Sequence, residues 1–151
     1  MWAGTAHTVA ATSLLRDQCT DTLPDALAAV GTPGPSPGRV TLAGLGAGGR
    51  IALDAALTGE VAAAGAIAFA PDLGPLATRL AAGPVPANPT PPRCVVFTGD
   101  RPGALDSCRR FEDWAARAAV PCRLVVEPGL GHAYPEDSAA ARREAPAWIR
   151  P

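Results

Sequence analysis

Val40-Thr41-Leu42-Ala43-Gly44-Leu45-Gly46-Ala47-Gly48-Gly49-Arg50-Ile51-Ala52-Leu53 is the stretch whose reading decides the fold of this chain. An apolar strand, Val40 to Ala43, runs into four closely spaced glycines, and an Ala/Leu-rich helix over Gly48 to Leu57 follows at once. Thr58-Gly59-Glu60 ends that helix, because glycine takes a left-handed backbone without strain. The alternation then repeats. Ala66 to Ala70 (AIAFA) reads as a second buried strand closed by Pro71-Asp72, and Leu76 to Ala82 as a short helix. Cys94 to Thr98 (CVVFT) is a third strand ending at Gly99-Asp100. Ser107 to Ala119 is an amphipathic helix with Phe111, Trp114, Ala115 and Ala118 on one face. Arg123 to Glu127 (RLVVE) is a fourth strand, running into Pro128-Gly129-Leu130-Gly131-His132.

Upstream of the glycines the pattern is weaker. Met1 to Thr12 has no clear period, and Ser13 to Val30 reads as a helix that Pro24 breaks or kinks. Gly31 to Gly38 (GTPGPSPG) and Gly83 to Arg93 (GPVPANPTPPR) are loops, since so much proline and glycine suits neither a helix nor a ladder. Ala139 to Ile149 closes the chain as a helix interrupted by Pro146. Short, continuous apolar strands separated by helices give an α/β class, a mostly parallel sheet of about four strands flanked by helices. Ligands of such sheets lie beyond the carboxyl ends of the strands, so Gly46, Asp72, Asp100 and His132 are expected along one rim.

Composition narrows the classes. A length of 151 residues suits one domain, with 1–38 as N-terminal helix and loop, 39–135 as core and 136–151 as C-terminal helix. A formal charge of −1 leaves no electrostatic footprint for nucleic acid or an anionic membrane. Val61 to Ala70, the longest apolar run, is too short to span a bilayer, and no secretory leader is visible, so a cytoplasmic protein is expected. Cys19, Cys94, Cys108 and Cys122 lack metal-ligand spacing; Cys94 and Cys122, each opening an apolar run, read as small buried thiols, and Trp2, Trp114 and Trp148 as packing residues. No metal or cofactor is expected on this basis.

A strand, a glycine-rich turn and a helix serve two known devices. Gly44, Gly46 and Gly49 fit the dinucleotide fingerprint G-x-G-x-x-G, with Asp72 placed to grip a ribose. Gly44, Gly46 and Gly48 fit the nucleophile elbow G-x-S-x-G, except that glycine stands where serine would attack. Gly46 also suits any turn that needs a positive φ.

The segments TLAGLGAGGRIALDAALTGEVAAAGAIAFAPDL, CVVFTGDRPGALDSC and CRLVVEPGLGHAYPED resemble the C-terminal half of the α/β-hydrolase superfamily. Its carboxylesterase/phospholipase-like branch is the nearest in pattern, over roughly Arg39 to Pro135. The resemblance implies a truncated hydrolase-like domain and assigns roles one by one. Gly46 is the vacant nucleophile position, and Ala47 offers its N–H to an oxyanion. The usual acid position is Pro102; Asp100 is the candidate acid, with Asp106 nearby, neither at the usual spacing. His132 matches the family histidine. The resemblance thus implies a pseudoenzyme that binds a small acyl or ester ligand or a protein partner. The alternatives are a weak or split esterase using His132, and a dinucleotide-binding domain. Nothing before Arg39 reads as a strand pair, so the edge of strand 40–43 is expected to be open to a second copy or a partner.

Overall fold

The computed structural model describes residues 40–83, 90–132, 144, 145 and 147–149, together with the backbone of 8–11. Its strands are β1 (Thr8–Ala11), β2 (Val40–Leu45), β3 (Ala63–Phe69), β4 (Arg93–Thr98) and β5 (Cys122–Val126). Its helices are α1 (Ala47–Leu57), α2 (Gly74–Ala82) and α3 (Pro102–Arg117). Every pairing is parallel, and the sheet runs β1-β2-β3-β4-β5 in space as in sequence. The class is α/β, a parallel sheet flanked by helices, with one strand more than the four read from the sequence.

The extra strand corrects the reading of the N-terminal stretch. Thr8 to Ala11 pairs in parallel with Thr41 to Gly44, so the β2 edge is covered along that length. A homodimer or partner site on the edge of strand 40–43 therefore loses its premise. Four residues are too few for a period to show in sequence, and the ladder rather than side-chain alternation identifies them. The helix expected over 13–30, the loop over 31–38 and most of the second connector lie outside the described residues. So does much of the C-terminal helix, of which 144, 145 and 147–149 are helical.

Each face of the sheet buries a different set of side chains. On one face Leu42, Ala66, Ala68, Cys94 and Val96 meet Leu53 and Leu57 of α1, Leu76 and Leu80 of α2, and Phe111 and Trp114 of α3. On the other, Ile67, Phe69, Val95 and Phe97 meet Ala145 and Ile149. Phe69 and Phe97 stack with ring centroids 5.0 Å apart. Fully burying side chains of this size contributes roughly 1.5–3 kcal/mol each. An Arg79–Asp54 ion pair joins α2 to α1.

Gly65 makes room for the C-terminal helical segment: a Cβ there would stand 2.8 Å from Ile149 Cγ2. Arg93 fastens the same segment by donating from Nη1 to the Trp148 carbonyl at 2.8 Å, its guanidinium 5.4 Å from the indole centroid. Trp114 and Trp148 are packing residues, as expected; Trp2 lies outside the described residues. Pro102 opens α3 five residues earlier than the amphipathic pattern suggested, because proline suits the first helical turn, where no N–H partner is needed. Among the described residues no helix is long and apolar enough to cross a membrane.

Candidate functional site

The turn between β2 and α1 is a single residue, Gly46, with φ 57° and ψ −121°. Glycine reaches this region freely, whereas an L side chain there is strained. It is the sharp strand-to-helix turn by which an elbow lifts its nucleophile above a sheet. Gly46 N–H donates to Phe69 O at 2.8 Å, and Arg50 N–H donates to Gly46 O at 3.2 Å, so the turn is held from both sides. The neighbouring glycines serve close packing. A Cβ on Gly44 would stand 2.6 Å from Gly49 N, and one on Gly49 would stand 2.8 Å from Gly44 O.

His132 reaches the same point from the far end of the sheet. Glu127 N–H donates to Thr98 O at 2.8 Å and carries the chain past the end of β4. Asp100 Oδ1 accepts from Gly129 N–H at 3.1 Å, and Leu130 N–H donates to Glu127 O at 3.1 Å. Gly99 lacks the side chain that would collide with Leu130, since a Cβ there would stand 3.0 Å from the Leu130 carbonyl carbon. The loop is thereby directed back along the rim, and the imidazole settles on the elbow. A Cβ built on Gly46 would stand 2.8 Å from His132 Nε2 and 3.5 Å from Nδ1, with Cε1 nearer still. The ring fills the volume that a side chain at position 46 would need, while its outer side remains exposed.

The other expected site residues divide. Ala47 is the first residue of α1, so its N–H has no acceptor within the helix and lies at the positive end of the helix dipole. Asp100 holds the His132 loop through Gly129, and among the described residues no hydrogen bond joins it to the imidazole. Asp72 accepts from Gly74 N–H at 3.1 Å and opens α2. Asp106 lies exposed on α3 and Pro102 is the first residue of that helix, so the usual acid position carries no carboxylate. Gly46, Ala47 and His132 are brought together; Asp72 is engaged at the start of α2 and Asp106 lies exposed on α3. Two clefts on the helical face, of about 200 and 420 Å³, include neither Gly46 nor His132.

Chemically the arrangement supplies an imidazole and an N–H with no acceptor in its helix, at a turn whose residue, Gly46, has no side chain to attack with. Serine-type acyl transfer needs an attacking oxygen, and none stands at the elbow. Among the described residues the thiols offer no substitute; Cys19 lies outside them. Burial pushes up the pKa of Cys94, of Cys108 and of Cys122, the last to about 12, so all are protonated and unreactive near neutrality. The His132 imidazole lies against Gly46, the middle glycine of the dinucleotide-like pattern. Sequence reasoning missed the Gly99–Leu130 approach and the Asp100–Gly129 bond. A glycine and an aspartate together at a strand end were the available signal, and they read equally as an ordinary turn.

No protein-family model matches the chain, and no curated protein matches it in sequence. Solved structures do match. One is an uncharacterised protein from Bacillus cereus, with TM-score 0.70 and 22% identity, covering 90% of this chain and 44% of that one. Esterase PE8 matches with TM-score 0.68 and 19% identity, covering 89% of this chain and 61% of that one. A hormone-sensitive lipase from a metagenome library matches with TM-score 0.61 and 18% identity, covering 89% and 59%. The chain therefore has an α/β-hydrolase-like fold, and it spans less than two thirds of the length of each of these structures.

Proposed function

We propose that this chain is a pseudoenzyme on an α/β-hydrolase-like fold, a module that binds a small acyl or ester ligand at Gly46, Ala47 and His132. One observation carries the reading. The elbow keeps the nucleophile's backbone conformation, yet its residue is glycine and a histidine ring occupies the place of its side chain. What remains of the machinery is the recognition part, a free N–H for a carbonyl or carboxylate oxygen and an imidazole for a second polar atom. The neighbours named as esterase and lipase support an acyl ligand rather than a nucleotide.

The test is thermal unfolding with butyrate, short acyl amides and, separately, NAD(P) or FAD, alongside a p-nitrophenyl ester assay. A melting-temperature rise with an acyl compound, reduced in His132→Ala and unaccompanied by turnover, is the expected result. A rise with a dinucleotide instead, lost in Asp72→Ala, would reverse the reading.

A weak esterase is the second reading, and the Ala47 N–H beside the His132 imidazole is what favours it. There the imidazole would act as a general base toward water. Turnover abolished by His132→Ala would establish that reading in place of the first.

A further inference from the structure

We propose that the larger cleft on the helical face, of about 420 Å³, binds a linear organic dianion, an aliphatic dicarboxylate. The cleft lies between α2 and α3 and is independent of the elbow, since neither Gly46 nor His132 lines it. Small-molecule pockets span roughly 300–1,000 Å³, so its size suits a ligand of this kind. Its floor is apolar and fixed. Ala77 is buried on α2, and Trp114, 5% exposed, is held on α3 by Phe111, the ring centroids 5.7 Å apart. Ala81, one turn after Ala77, extends that floor along α2.

The charges stand at the rim. Arg110 and Arg117 line the cleft from α3, and both are exposed. A Cβ on Gly74 would stand 3.9 Å from Arg110 Nη2, so this guanidinium lies beside the start of α2. Arg117 follows two turns later, about 10.5 Å along the α3 axis, and shares the cleft with Ala81 near the end of α2. Two cations at the ends of an apolar trough match a chain with an anion at each end. Its methylenes cover Ala77, Ala81 and Trp114, and each carboxylate takes one guanidinium. Among the described residues neither arginine is in an ion pair, so neither is neutralised beforehand. In the smaller cleft, of about 200 Å³, Arg79 is already paired with Asp54. Asp113 is the carboxylate among the residues lining the larger cleft, about one turn from each arginine, and it opposes an anion there. Removing its charge therefore strengthens dianion binding, the opposite of what neutralising either arginine does.

The experiment is calorimetric titration of the full chain at low salt with succinate, adipate and suberate, and with hexanoate as the monoanion. Circular dichroism confirms that each variant is folded. Suberate or adipate should bind at least about fivefold more tightly than hexanoate, and added salt should weaken the binding. Arg110→Gln and Arg117→Gln should each weaken it about fivefold, and Asp113→Asn should tighten it about threefold. His132→Ala should leave diacid binding unchanged, which separates this cleft from the acyl site at the elbow. Absence of saturable binding at millimolar diacid would overturn the proposal, as would hexanoate binding as tightly as suberate. So would a diacid affinity that both arginine variants leave unchanged, that Asp113→Asn lowers, or that His132→Ala abolishes.

Discussion

A hydroxymethyl group at position 46 would meet two separate costs. One is backbone strain, because φ is +57° and a side chain is disfavoured there. The other is the His132 ring, whose Nε2 lies 2.8 Å from the Cβ position. The ring is exposed and can swing outward, so Gly46→Ser should fold, at a loss of about 1–3 kcal/mol. It should not hydrolyse esters above background, since Asp100 is bonded to Gly129 and Pro102 carries no carboxylate. Urea unfolding and a p-nitrophenyl ester assay check both points; efficient turnover by this single variant would refute the site description. A double-mutant cycle separates the two costs. Gly46→Ala should destabilise less in a His132→Ala background than in the wild type, by about 1 kcal/mol, because only the collision is relieved. Equal cost in both backgrounds would mean that the ring does not lie on the elbow in solution.

At the scale of an element, α3 ends in a form that invites glycine. Val120 N–H donates to Ala115 O at 2.9 Å and Ala119 N–H to Ala116 O at 3.3 Å, the two bonds of a Schellman cap. Ala119 takes φ +55°, a conformation that glycine adopts without penalty and alanine does not. Ala119→Gly should therefore raise stability by about 0.5–1 kcal/mol. A higher urea midpoint at unchanged slope is the expected readout, and a lower midpoint would show that glycine's gain in unfolded-state entropy prevails. Val120 is buried, so the cap also turns the chain inward toward β5.

For the whole molecule, the buried thiols link stability to alkaline pH. Desolvation raises the Cys122 thiol from 9.0 to about 12, with the Glu112 carboxylate and Cys108 adding to it. Burial raises Cys94 also, with Cys122 adding, and burial raises Cys108. In the unfolded chain these thiols ionise near pH 9. Between pH 9 and about 12 the unfolded state has therefore lost protons that the folded state keeps. Stability contributed by these thiols is fully present below pH 9 and falls as pH rises through that window. Unfolding midpoints measured under reducing conditions should decline across it, and Cys122→Ala should flatten the decline. An unchanged slope in that variant would mean that the thiol is solvated in the folded chain.

The sequence by itself determined the local steps of the fold. Short continuous apolar runs such as CVVFT and AIAFA, bounded by proline and glycine, read as strands covered on both faces, and Gly46 between an apolar strand and an alanine-rich helix reads as a tight turn. Gly46 and His132 were legible as rim residues together with Asp72 and Asp100, each just beyond a strand end in a parallel sheet, and the hydrolase resemblance singled out the pair. Tertiary structure decided what depends on contacts between distant segments. Thr8 to Ala11 is a strand because β2 offers it a ladder, not because its own four residues carry a pattern. Asp100 anchors the His132 loop because Gly99 lets Leu130 come close and brings Gly129 N–H within reach. The imidazole lies on position 46 because a glycine leaves that volume empty, and no reading of either residue alone contains the distance between them.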